Sequence, residues 1–123
     1  MTLLWVALGG AIGAVLRYVS VTAMLRAVGP GFPYGTMIVN VAGSFLMGMA
    51  AIMILEKFGG GRAWAFAMTG VLGGFTTFSA FSLDAVYLIE KGRMAAAAGY
   101  IGGTVALCLV ALMIGLWLGR AAA

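Results

Sequence analysis

Four long apolar stretches constrain this chain more than any motif in it: about Leu3–Leu25, Gly35–Leu55, Ala63–Ile89 and Met94–Leu118. A helix rises about 1.5 Å per residue, so roughly 20 apolar residues cross the roughly 30 Å hydrocarbon core of a bilayer. Each stretch reaches that length. Short polar connectors separate them: Arg26–Pro33, Glu56–Arg62 and Glu90–Arg93. In lipid every backbone N–H and C=O must find a partner inside the protein, and a segment of this length satisfies its own only as a helix. The first stretch is too long for a signal-peptide core and no basic residue precedes Leu3, so it is expected to persist as a span. The expectation is a single all-α transmembrane domain over residues 1–123 with four spanning helices. Composition agrees, with 64% hydrophobic and 8% charged residues against about 25% charged in ordinary soluble domains.

The polar inventory removes several chemistries. The single cysteine, Cys108, lies inside the fourth stretch, so no intrachain disulfide forms. Histidine is absent, which takes away the usual general base and the commonest metal ligand. The acidic residues are Glu56, Asp84 and Glu90, two of them at span ends. No catalytic group is expected, and the chain does not read as an enzyme. The net charge of +4 is spread singly over helix ends, which fits anchoring at the membrane interface better than a nucleic-acid surface.

Four crossings put both termini and the second loop on one side, with Lys57, Arg62 and Arg120. The first and third loops share the other, with Arg26, Lys91 and Arg93, and Arg17 snorkels toward them. Orientation normally follows an excess of Lys and Arg on the cytoplasmic side, and here the bias is close to nil. Either another feature fixes one orientation, or the chain inserts both ways and assembles as an antiparallel dimer.

Four helices fill the space between them with their own side chains, so a chain this short encloses little lumen alone. Its 20 glycines suit close helix approach in lipid. Gly9, Gly10 and Gly13 serve the first helix, Gly43 and Gly48 the second, and Gly99, Gly102 and Gly103 the fourth.

The third stretch differs in kind. It reads Thr69-Gly-Val-Leu-Gly73-Gly74-Phe-Thr76-Thr77-Phe78-Ser79-Ala-Phe81-Ser82. Closely spaced glycines followed by two β-branched threonines make a poor continuous helix. A break near mid-membrane would free carbonyls that cost several kcal/mol each unless satisfied, and transport proteins hold ions on such unwound backbone. Phe78 and Phe81, three apart, occupy neighbouring positions on one helical face. Their ring edges carry positive charge toward an anion, although packing alone also explains such a pair.

Two polar rows support a pathway. Thr36, Asn40 and Ser44 recur every four residues on the second helix, and Tyr100, Thr104 and Cys108 do so on the fourth. Such rows either join helices or replace part of an ion's water shell along a narrow track. Asn40 is the more informative, since a buried amide needs several partners. The reading at this level is a small membrane protein that moves a small ion or solute.

Three segments resemble the Fluc (CrcB) fluoride channels: Gly9-Gly10-Ala11-Ile12-Gly13-Ala14-Val15-Leu16-Arg17-Tyr18, Gly35-Thr36-Met37-Ile38-Val39-Asn40-Val41-Ala42-Gly43-Ser44-Phe45, and most specifically Gly73-Gly74-Phe75-Thr76-Thr77-Phe78-Ser79-Ala80-Phe81-Ser82. The resemblance covers all four spans in order. It implies an antiparallel, dual-topology homodimer in a bacterial inner membrane, with two pores and a third helix broken near mid-membrane. It implies a structural sodium ion held by the backbone carbonyls of Gly73 and Thr76 from both copies. It places Asn40, Phe78, Phe81, Tyr100, Thr104 and Ser79 along the fluoride pathway, with Arg17 in a vestibule. Ala80 stands where members usually carry Ser or Thr, and Asp84 where many carry Glu. The implied role is passive efflux: fluoride enters cells as uncharged HF, dissociates, leaves as the anion, and is thereby kept below toxic levels.

The alternative is a small multidrug-type exporter, also four helices with dual topology. Proton-coupled antiport wants a carboxylate deep in the membrane. The first two spans offer none, and Asp84 lies beyond the glycine-threonine motif.

Overall fold

The computed structural model describes residues 1–122, and their regular structure is entirely helical. Helix α1 spans Thr2–Val28 and α2 spans Tyr34–Phe58. The third segment comprises α3 (Gly61–Trp64), a π-helical stretch Ala65–Leu72, α4 (Gly73–Phe75) and α5 (Phe78–Glu90). Helix α6 runs Met94–Ala122. Four segments are long and apolar enough to cross a membrane: Thr2–Val28, Tyr34–Phe58, Gly61–Glu90 and Met94–Ala122. The chain is a multi-pass membrane protein.

The helices outrun the apolar stretches. α1 ends at Val28 rather than Leu25, and α6 reaches Ala122 rather than Leu118. Hydrophobicity marks what lipid accepts, whereas a helix stops where its backbone is diverted. Long basic side chains such as Arg26 remain helical at the interface. α1 and α2 stop at glycines, Gly29 and Gly59. Gly59 caps α2 in the left-handed region (φ 67°), its N–H donating to the Leu55 carbonyl at 3.2 Å, a conformation that a Cβ disfavours.

Glycines set the helix packing. α2 packs chiefly on α6, and α1 on the π-helical stretch and α4. A Cβ on Gly48 would press on the Leu112 carbonyl and lie 2.9 Å from the Leu116 nitrogen. A Cβ on Gly115 would likewise lie 2.9 Å from the Met49 nitrogen. α1 uses Gly9 and Gly13, where a Cβ would lie 2.9 Å from Gly70 Cα and 2.8 Å from the Phe75 nitrogen. The fourth helix departs from expectation. Gly99 and Gly102 meet nothing within 4 Å, Gly103 keeps its expected contact, a Cβ there lying 3.3 Å from Met37 Cε, and Gly115 and Gly119 add contacts that were not expected. Toward its N-terminal half α6 packs through the buried side chains of Ala97, Tyr100 and Thr104.

Two small cores result. Phe81, Ala85, Leu88, Ala97 and Tyr100 form one, and Ile54, Met68 and Leu72 the other. Large apolar side chains such as Leu3, Leu109 and Trp117 stay exposed on the outer faces, as lipid allows and water would not. The first and third loops lie at one end of the bundle, joined by a hydrogen bond from the Arg93 guanidinium to the Gly31 carbonyl.

Candidate functional site

The site is organised around two extended residues between α4 and α5. Thr76 adopts φ −87°, ψ 157° and Thr77 φ −152°, ψ 123°. Thr76 keeps its helical bond, and Thr77 replaces a lost one. Thr76 returns both its N–H (3.0 Å) and its hydroxyl (2.9 Å) to the Leu72 carbonyl. Thr77 is the N-cap of α5, its Oγ1 accepting the Ala80 N–H at 3.2 Å, the role for which a short hydroxyl side chain is suited.

Asn40 on α2 completes the arrangement. Its Oδ1 accepts the Thr77 N–H at 2.7 Å, and its Nδ2 donates to the Thr77 carbonyl at 2.9 Å. The side-chain amide thus stands in for a peptide unit across 37 residues of sequence. From the opposite side, Arg17 of α1 donates its Nε to the Gly74 carbonyl at 3.0 Å. In a continuous helix the Thr77 N–H would close on the Gly73 carbonyl and the Ala80 N–H on the Thr76 carbonyl. Both donors are engaged elsewhere, one by Asn40 Oδ1 and one by Thr77 Oγ1. Gly73 and Thr76 therefore lose the donors that would normally occupy their carbonyls. Carbonyl oxygens released in this way are hard donors of the type that suits a cation such as sodium.

Beside this turn a groove of about 320 Å³ is lined by Asn40, Ser44, Thr76, Thr77, Phe78, Phe81, Thr104 and Cys108, among others. Thr104 is buried, and its hydroxyl has no hydrogen-bond partner among the described residues. Buried hydroxyls are normally satisfied, and leaving one bare costs about 1–3 kcal/mol. Asn40 keeps a second Nδ2 hydrogen beyond the one given to Thr77. The Phe78 and Phe81 ring centroids lie 5.6 Å apart at 48°. Phe81 is buried, whereas Phe78 is 78% exposed and leaves the groove open on its side.

The expected residues thus divide. Asn40, Phe78, Phe81 and Thr104 share the groove, and Cys108 of the fourth-helix row joins them. Tyr100 lies beneath it: the ring is fully buried, 5.2 Å from Phe81, and its hydroxyl donates to Asp84 Oδ2 at 3.3 Å. Thr36 separates from its row and lines, with Asp84 and Lys91, another cavity of about 260 Å³ under the first loop. Ser79 is exposed, its Oγ 3.3 Å from Thr77 Oγ1. Arg17 and Gly73 lie outside the groove lining, at the backbone of the turn. Sequence reasoning passed over Thr77 as a site residue. Its signal was a threonine three residues ahead of Ala80 at the start of an apolar helical run, an N-cap pattern. The Tyr100–Asp84 pair had no sequence signal, since 16 residues and a loop separate the partners.

The comparisons with known proteins bear on the whole chain. Residues 4–116 match the family described as CrcB-like protein, Camphor Resistance (CrcB). A protein named fluoride-specific ion channel FluC from Cereibacter sphaeroides is 56% identical over 115 residues, covering 94% of this chain and 91% of that one. Proteins of the same name from Chelativorans sp. and Rhizobium meliloti are each 50% identical, covering 96% and 97% of this chain and 95% and 96% of their own.

Proposed function

This chain belongs to the CrcB family, and from that premise we propose that it is a fluoride channel giving passive efflux of cytoplasmic fluoride. The family is one of ion channels rather than enzymes. The observation that best supports the pathway is the bare, buried Thr104 hydroxyl in the groove it shares with Phe81 and Asn40. A dehydrated anion needs positive partial charge without a full positive charge that would trap it. The Thr104 O–H, the second Asn40 N–H and the positive ring edges of Phe78 and Phe81 are of that kind.

The proposal extends to assembly and location. The chain acts as an antiparallel, dual-topology homodimer in a bacterial inner membrane, folded as one transmembrane domain. In favour stand the even distribution of Lys and Arg and a groove left open at Phe78, which a second copy would close. The extended Thr76–Thr77 pair is the break in the third helix, placed near mid-membrane. Sodium would be held on the carbonyls of Gly73 and Thr76, whose usual amide donors are engaged elsewhere. When bound it supplies a fixed positive field close to the anion route. Tyr100 and Ser79 act beside the groove, Tyr100 by backing Phe81 and Ser79 next to the Thr77 cap. Arg17 faces the vestibule end of the turn. Proton-coupled export fits less well, because the carboxylate available in the third span, Asp84, already accepts the Tyr100 hydroxyl.

The deciding experiment is fluoride efflux from liposomes containing this protein alone, read with a fluoride electrode. Rapid efflux that is insensitive to an imposed pH gradient supports the channel. No efflux, or efflux that stops when the pH gradient is collapsed, overturns it.

A further inference from the structure

The side chain that sets up the carbonyl cradle lies outside the third segment altogether. Gly73 has a carbonyl to offer only because the Thr77 N–H does not reach back to it, and that N–H is held at 2.7 Å by Asn40 Oδ1. Asn40 is 8% exposed and is fixed from its other end by the Nδ2 bond to the Thr77 carbonyl, so its acceptor cannot swing away from the amide. Gly43, one turn further along α2, is in contact with Thr76: a Cβ there would meet Thr76 Cγ2 and lie 3.2 Å from Phe75 Cδ2. α2 therefore sits against the turn with no slack, and the amide of Asn40 stays at one height relative to Thr77.

We infer that Asn40 is a positioning residue for the cation: by capturing the Thr77 N–H it keeps the Gly73 carbonyl open, and so sets cation affinity as well as lining the groove. This rests on the proposed sodium site. Oδ1 and Nδ2 then have separate tasks. Oδ1 is the part that holds the donor off Gly73. Nδ2 anchors the Thr77 carbonyl and leaves a hydrogen for the groove. A substitution that keeps the acceptor should keep the cation response, and one that removes the acceptor should let Thr77 N–H fall back onto Gly73 and abolish it.

The test uses the purified full chain in detergent, with the thermal unfolding midpoint followed as sodium replaces N-methylglucamine. Amide hydrogen exchange across residues 73–80 is measured in parallel. The parent is expected to be stabilised by sodium. Asn40→Leu should need at least tenfold more sodium for half the effect and show altered exchange at Thr77. Asn40→Asp, which retains an acceptor for the Thr77 N–H but loses the Nδ2 anchor on its carbonyl, should keep a sodium response, weaker than the parent's and stronger than that of Asn40→Leu, while losing fluoride flux. Thr104→Val, which alters the groove without touching Thr77, should leave the sodium midpoint where it is. A parent with no sodium response overturns both this inference and the sodium site. A sodium-responsive parent whose Asn40→Leu variant responds at the same concentration overturns this inference alone. Should Asn40→Leu fail to fold, Asn40→Ala decides, since it also removes the acceptor, and a sodium midpoint equal to the parent's in that variant is equally fatal.

Discussion

The side-chain amide of Asn40 closes a two-point ring on the backbone of Thr77, accepting its N–H at 2.7 Å and donating to its carbonyl at 2.9 Å. An amide is the one side-chain group that offers donor and acceptor at the spacing of a peptide unit, so α2 supplies the hydrogen bonds that helical continuation would have supplied. In an apolar surrounding, each backbone group left bare costs several kcal/mol. Asn40 thereby joins the support of the turn to the lining of the groove.

The phenylalanine pair tests the anion route. Phe78→Ile and Phe81→Ile keep bulk and hydrophobicity and remove the ring quadrupole. At least one should cut fluoride flux tenfold or more, about 1.4 kcal/mol on the barrier. Size-exclusion profiles in detergent check that both variants still assemble. Normal assembly with parental flux in both would reduce the pair to packing.

Thr104 offers a sharper separation of function from stability. Its buried hydroxyl has no partner among the described residues, so Thr104→Val removes an uncompensated polar group at nearly constant shape. The unfolding midpoint should hold or rise, by the equivalent of at most about 1–3 kcal/mol, while fluoride flux falls severalfold. A lowered midpoint with unchanged flux would make the hydroxyl structural.

The glycine crossings predict a purely structural failure. Gly48→Val and Gly115→Val place side-chain atoms where the Leu112 and Phe45 carbonyls already lie, and the backbones must separate. A loss of about 1–3 kcal/mol or more follows from overpacking, read as a lower unfolding midpoint or as aggregation. Gly102→Ala, where nothing lies within 4 Å, should hold the midpoint or raise it slightly, as Ala in place of Gly inside a helix does.

Assembly is tested by charge. Two added lysines in the Glu56–Arg62 loop should bias insertion one way and lower fluoride efflux when the variant is expressed alone. Coexpression with an oppositely biased variant should restore it. A parent population with every C-terminus on one side of the membrane would refute dual topology.

The four spans and their order were legible in the sequence because a bilayer imposes one requirement on every segment that crosses it, apolar length, and Leu3–Leu25 or Met94–Leu118 satisfies it without reference to any other residue. The glycines that bring α1 and α2 close to their neighbours were legible for the same local reason. Gly99 and Gly102 face no neighbour because small size permits close approach without saying from which side a neighbour comes; α6 meets α2 at Gly103, as expected, and also at Gly115 and Gly119. The π-helical stretch Ala65–Leu72 was likewise unmarked, since its residues differ little from those of an ordinary apolar helix.

The sequence determined that Gly73–Thr77 would be a weak helix and that Asn40 needed partners. The pairing of the two, the transfer of the Gly74 carbonyl to Arg17, and the division of Thr36 from Asn40 and Ser44 were decided only by the tertiary structure. Local propensity depends on neighbours along the chain, and those residues are legible one by one. A hydrogen bond spanning 37 or 57 residues depends on how four helices come to lie side by side, which is settled by packing their glycine faces and by the need to leave few backbone groups bare in lipid.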